Sequence, residues 1–125
     1  MNSIPFPQSF SFEPLDLSYI VAHADEIAWE PFKDGVEIFR LYGDGISGPT
    51  AALIRYRDGG RVPLHEHVGY EHILVLAGSQ RDEDAVYNAG TFVIKPPGAR
   101  HSLISDKGCI VLAIYEKPVR FLEAD

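Results

Sequence analysis

The sequence predicts an all-β fold, a sandwich or barrel built around one core. Three observations carry that prediction. Short apolar runs recur along the chain with Gly and Pro punctuation between them. No stretch sustains the 3.6-residue period of a long amphipathic helix. At 125 residues there is room for a single domain whose core needs no staples.

Residues 1–16 read as an N-terminal arm and residues 17–125 as the single domain. Pro5, Pro7 and Pro14 forbid a regular helix or central strand in the arm. Phe6, Phe10 and Phe12 are interleaved with them. Three aromatics left in water are unfavourable, so the arm is expected to dock on its own barrel or on a partner subunit. Leu17–Ala22 reads as the first β-like run, and Ala22–Trp29 has room for one helical turn. Ile27–Phe32 and Val36–Tyr42 flank Lys33-Asp34-Gly35, where Asp-Gly is a hairpin signal. A loop over Gly43–Pro49 leads to Thr50–Arg57, which alternates imperfectly and ends at Asp58-Gly59-Gly60. Val62–His67 and Tyr70–Ala77 follow, with Gly69 between them. Arg81–Asp84 reads as a solvated turn. Asn88-Ala89-Gly90 turns the chain into Thr91–Lys95. His101–Ser105 and Cys109–Lys117 are joined by Asp106-Lys107-Gly108.

The formal net charge of -7 counts against nucleic acid, whose phosphates reward basic patches, and against an anionic membrane surface. No run approaches the roughly 20 apolar residues of a spanning helix. The N-terminus lacks the basic and apolar regions of a signal peptide. Cys109 is the one cysteine, which rules out an intramolecular disulfide and fits a reducing compartment. The expected location is the cytoplasm.

The chemistry concentrates in Gly59–Ser105. His65 and His67 are two apart, so on a strand both side chains leave the same face. A tight connection through Val68 and Gly69 returns Glu71 nearby. His101 arrives on a separate strand after Pro96-Pro97-Gly98, a sequence suited to a type II turn with Gly at the positive-φ position. Imidazole nitrogen and carboxylate oxygen suit Zn, Fe, Mn, Ni and Cu, so His65, His67, Glu71 and His101 are the expected metal ligands. Alternation points His72 to the opposite face. His23 has no partner motif and reads as surface, and Cys109 reads as packing. Tyr70, Arg55, Arg57, Gln80 and Ser102 read as structural or solvated rather than as pocket-lining, and Trp29 and Tyr115 as core.

These residues carry a resemblance to the cupins. The spacing Gly59, His65, His67, Glu71, Gly78 matches the first cupin motif without departure. Gly90, Pro96, Gly98 and His101 match the second, with Ser105 in place of its final Asn. The run His65–Gly78, with Pro96–Ser102, further resembles the cupin domain of ChrR-type anti-sigma factors. The resemblance implies a double-stranded β-helix, the cupin jelly-roll barrel, with zinc as the first choice of divalent metal and iron, manganese or nickel also fitting. It implies a homodimer. The family's cupin follows a small helical domain that holds a sigma factor. Neither that domain nor its Cys-containing zinc motif is found in this sequence, so a stand-alone member is expected, not a complete anti-sigma factor.

Two functions follow as expectations. One is a small-molecule metalloenzyme, a dioxygenase or a hydrolase- or isomerase-like catalyst acting on a small anionic or enolisable ligand, with Glu71 as a proton shuttle. The other is a metal-dependent sensing or regulatory module without catalysis.

Overall fold

A computed structural model of the protein describes residues 14–122. A short helix, α1 (Leu17–Ala22), and a 3-10 turn (Ala24–Glu26) precede ten strands. These are β1 (Glu30–Lys33), β2 (Val36–Tyr42), β3 (Thr50–Tyr56), β4 (Arg61–Glu66), β5 (Glu71–Arg81), β6 (Val86–Asn88), β7 (Phe92–Lys95), β8 (Arg100–Ile104), β9 (Cys109–Tyr115) and β10 (Arg120–Phe121). Every pairing among them is antiparallel. The long β5 belongs to two sheets. Its first part joins β1-β2-β3-β9-β5-β7, and its end joins β10-β4-β8-β5-β6.

The core lies between these two sheets. Ile38, Ile54, Val75 and Val111 from the first meet Val62 and Leu103 from the second. This is the all-β barrel the sequence predicts. Among the described residues, no helix is long and apolar enough to cross a membrane. Residues 1–13 of the expected arm lie outside the described residues.

One expected strand is a helix. Leu17–Ala22 forms α1 because Asp16 caps it, its Oδ1 accepting the Tyr19 N–H at 3.1 Å. Tertiary packing sets the period: Ile20 is fully buried against Ile27 and Leu53 on the outer face of the first sheet. This cover buries β3 on both faces, which explains its imperfect alternation. Arg55 completes the cover. It pairs with Asp25 at 2.8 Å and Glu37 at 3.0 Å and lies over the Trp29 ring.

Two bulges decide which side chains enter the barrel. Between Val62 and His65 the β4–β8 register slips, so three residues on β4 span two on β8 and His65 comes to sit opposite His101. Pro63 suits the slip because it has no N–H to leave unpaired. Strict alternation from the buried Val62 would turn His65 outward; the bulge turns it inward. A second slip, between Val75 and Ala77 on β5, inverts the phase after Glu71, Ile73 and Val75, so that Gln80 is the next large side chain buried.

Candidate metal centre

His65 stands on β4, His67 just beyond its end, Glu71 at the start of β5 and His101 on β8. The His101 strand is launched by the turn the sequence predicts. Ala99 N–H bonds Pro96 O at 3.2 Å, with Gly98 at φ +90°. His67 is held by its backbone, its N–H donating to Ala99 O and its carbonyl accepting from Gly98 N–H.

One ligand atom from each of His65, His67 and His101 can be chosen so that all lie within 4.8 Å of one another. All three rings are buried. Two tautomers follow from the partners. Pro63 O can only accept, so His65 Nδ1, 2.8 Å away, carries the proton and Nε2 keeps its lone pair. His101 Nδ1 is 3.1 Å from Asp82 Oδ2, which likewise leaves a lone pair on His101 Nε2. That lone pair faces His67 Nε2 at 3.0 Å. Two lone pairs repel at such a distance, so a proton on His67 Nε2 or a shared cation must lie between them. Metal–nitrogen bonds of about 2.1 Å place neighbouring donors at about this separation, so the donor set fits a cation.

The electrostatics agree. Burial pushes the His65 pKa down to about 4 and that of His67 down to about 3, the latter helped by His101 and His65. His101 is lowered by burial, which outweighs its bond to Asp82. At neutral pH the three imidazoles are uncharged, the form that binds metal.

Glu71 is close but stands apart from the three-histidine cluster. Its Oε1 is 3.2 Å from His67 Nδ1, without the alignment of a hydrogen bond, and that Nδ1 is buried with no hydrogen-bond partner. Burial pushes the Glu71 carboxyl up to about 7.

Asp82 is the residue that sequence reasoning missed. Arg81, Glu83 and Asp84 of the expected solvated turn are exposed, but Asp82 is anchored inward, its side chain only 1% exposed. Its Oδ2 accepts from His101 Nδ1, from Tyr87 OH at 2.9 Å and from Lys95 Nζ at 3.3 Å. Its Oδ1 accepts the Asp84 and Ala85 N–H groups at 2.9 and 3.1 Å. Burial favours the neutral acid, but these donors outweigh it and hold the carboxyl well below the usual range. Next to it, Glu83 grips Ser102 through N–H and Oγ contacts.

The remaining expectations divide. His72 points away from the cluster and stacks on Phe92. His23 stacks on Tyr19 at the end of α1. Cys109 is buried, and burial pushes its thiol up to about 11. Ser105, where the second motif has Asn, is fully buried and donates to Ser79 O at 2.5 Å, tying β8 to β5. Gln80 was expected to be structural or solvated; instead it is buried and lines an interior cavity of about 120 Å³. His65, Glu71, Tyr56 and Tyr115 line the same cavity, among apolar walls that include Ile73 and Val111.

Fold and site together define a cupin whose barrel holds a three-histidine cluster positioned for a metal. The chain belongs to the ChrR cupin-like domain family, whose model matches residues 17–119. The curated anti-sigma-E factor ChrR of Cereibacter sphaeroides is 33% identical in an alignment 107 residues long that covers 82% of this chain and 48% of that protein. The chain thus spans about half the length of this relative. Among solved structures, Rhodobacter sphaeroides SigE in complex with the anti-sigma ChrR matches with a TM-score of 0.69 and 28% identity, over 89% of this chain and 59% of that one. An acetylacetone dioxygenase from Acinetobacter johnsonii matches with a TM-score of 0.69 over 76% of this chain and 72% of that one. At 15% identity, it shares the fold alone.

Proposed function

We propose that the protein is a divalent-metal cupin that takes a small anionic or enolisable oxygen ligand into its barrel and acts on it as a metalloenzyme. One observation carries this reading: the cavity of about 120 Å³ is lined by two of the expected ligands, His65 and Glu71. A metal that only staples strands together needs no such space beside it. In this reading His65, His67 and His101 bind the cation through Nε2. Glu71, whose carboxyl lies 3.2 Å from the His67 ring, is the fourth ligand and also a proton shuttle for the bound molecule. Zinc is the first choice, and iron, manganese or nickel suit the same donors.

A bound cation supplies Lewis-acid charge there and, if it is iron, a centre for O₂ chemistry. The protein's own residues do the rest. Asp82 and Pro63 O fix the ring tautomers, and the apolar walls exclude water and strengthen every charge inside. The location proposed is cytoplasmic and the assembly a homodimer.

A second reading, a metal-dependent sensing module without catalysis, is favoured by the 33% identity to an anti-sigma factor. Elemental analysis of protein purified without added metal separates the two. Stoichiometric iron or manganese with O₂ uptake on 1,3-diketones supports a dioxygenase. Stoichiometric zinc with turnover in a hydrolase or isomerase screen supports the non-redox enzyme. Stoichiometric zinc with no turnover of any small molecule supports the module. Protein that binds no divalent metal, with His65→Ala, His101→Ala and Glu71→Gln behaving like the unmodified chain, overturns both.

A further inference from the structure

Two of the polar side chains that line the cavity, the half-buried Arg40 and the buried Gln80, each have one buried atom with no hydrogen-bond partner among the described residues. Arg40, on β2, lines it from beneath the loop that follows. A Cβ on Gly45 of that loop would stand 2.6 Å from Arg40 Nε and 2.7 Å from Nη2, so the glycine makes room for the guanidinium. Arg40 Nε is buried and has no hydrogen-bond partner among the described residues. Glu71, the one carboxylate among the lining residues, forms no ion pair with it. Arg55 shows the contrast: as buried as any arginine in the fold, it is paired with two carboxylates. The second side chain is Gln80, 2% exposed, whose Oε1 is also without a partner.

A buried guanidinium N–H left unpaired is unfavourable unless something else supplies the acceptor. Its planar fork matches a carboxylate, which can accept two N–H groups side by side. The space is small and its walls apolar, which suits a short aliphatic chain. We propose that the cavity binds a short aliphatic carboxylate bearing a second oxygen function, with the carboxylate on Arg40 and the second oxygen turned toward His65 and Glu71. Gln80 Oε1 can only accept, so it is satisfied where the second oxygen is a hydroxyl that donates to it. Only the placement of the second oxygen rests on the metal reading; the Arg40 contact stands without it.

The test is titration calorimetry of the protein as purified, with 4-oxopentanoate and 3-hydroxybutanoate as probes and their uncharged amides as controls. At least one acid should bind about tenfold or more tightly than its amide, the range of one charge-assisted pair. Arg40→Met should erase that preference while metal content and melting temperature stay as they were. Acids and amides binding alike to the unmodified protein overturn the proposal, whether or not the variant folds. So does a preference that survives in Arg40→Met. A preference that persists after chelation with no loss of acid affinity retains the Arg40 site and discards the metal-bound second oxygen. Persistence with weakened affinity supports both.

Discussion

His101 takes its orientation from a residue 19 positions upstream. Asp82 accepts its Nδ1–H and is itself held by Tyr87, Lys95 and two backbone N–H groups, so the carboxylate cannot turn away to follow solvent. Replacing it by Asn keeps the shape but removes the charge and permits the wrong tautomer. We expect Asp82→Asn to weaken metal binding about 10- to 100-fold, the range for such outer partners, in competition with a chromophoric chelator. Glu83→Gln, whose contacts are to Ser102, should stay within a few-fold. Equal affinity in Asp82→Asn and the unmodified protein would remove Asp82 from the site. The three-histidine cluster was legible because its residue types and spacing announce coordination chemistry. Asp82 was not, because an acidic residue in the run Arg81-Asp82-Glu83-Asp84 looks like any solvated charge, and only the fold brings His101 against it.

At the scale of elements, most strands were visible as runs, and their ends followed the glycines and prolines. What alternation could not show was phase. Each bulge adds one residue, and a single residue exchanges inside for outside along the rest of the strand. Pro63 hints at the first bulge; the second, at Leu76 in the apolar run Ile73–Ala77, has no sequence mark, so the sequence could not place Gln80 in the cavity. Helix α1 escaped for a related reason, since six residues with one buried side chain carry no measurable period. The motif glycines carry unequal structural loads. Gly78 sits at φ +71° at the end of the β5–β9 ladder, and a Cβ there would overlap Gly108 O. Gly59 sits at φ +77° with nothing within 4 Å. Gly59→Ala should therefore cost only the left-handed strain, about 1 kcal/mol. Gly78→Ala adds a backbone clash and should exceed about 2 kcal/mol. Urea unfolding of the two variants checks the order, and similar losses would mean that β5 and β9 separate more easily than their register implies.

Across the whole molecule, the site ties together parts of the barrel that are distant in sequence. His65 and His67 come from β4 and its end, His101 from β8, and Glu71 from the strand shared by both sheets. In the unfolded chain these groups are scattered, so a cation that needs all of them binds the folded state only. Its stabilisation then follows from mass action, about 4 kcal/mol when free metal exceeds its dissociation constant 1,000-fold. For a domain of this size, that corresponds to a rise in melting temperature on the order of 10 °C or more. Melting the protein with excess chelator and then with added zinc should show that rise, and it should grow with zinc concentration. His101→Ala should melt at one temperature under both conditions. The comparison also separates the metal from the frame around it. The core of Ile38, Ile54, Val75 and Val111 is made without any of the histidines, so the chelated protein should still unfold in a single cooperative step. A chelated protein with no cooperative transition would mean that the metal makes the barrel instead of occupying it, and the cavity beside His65 would then exist only in the loaded state.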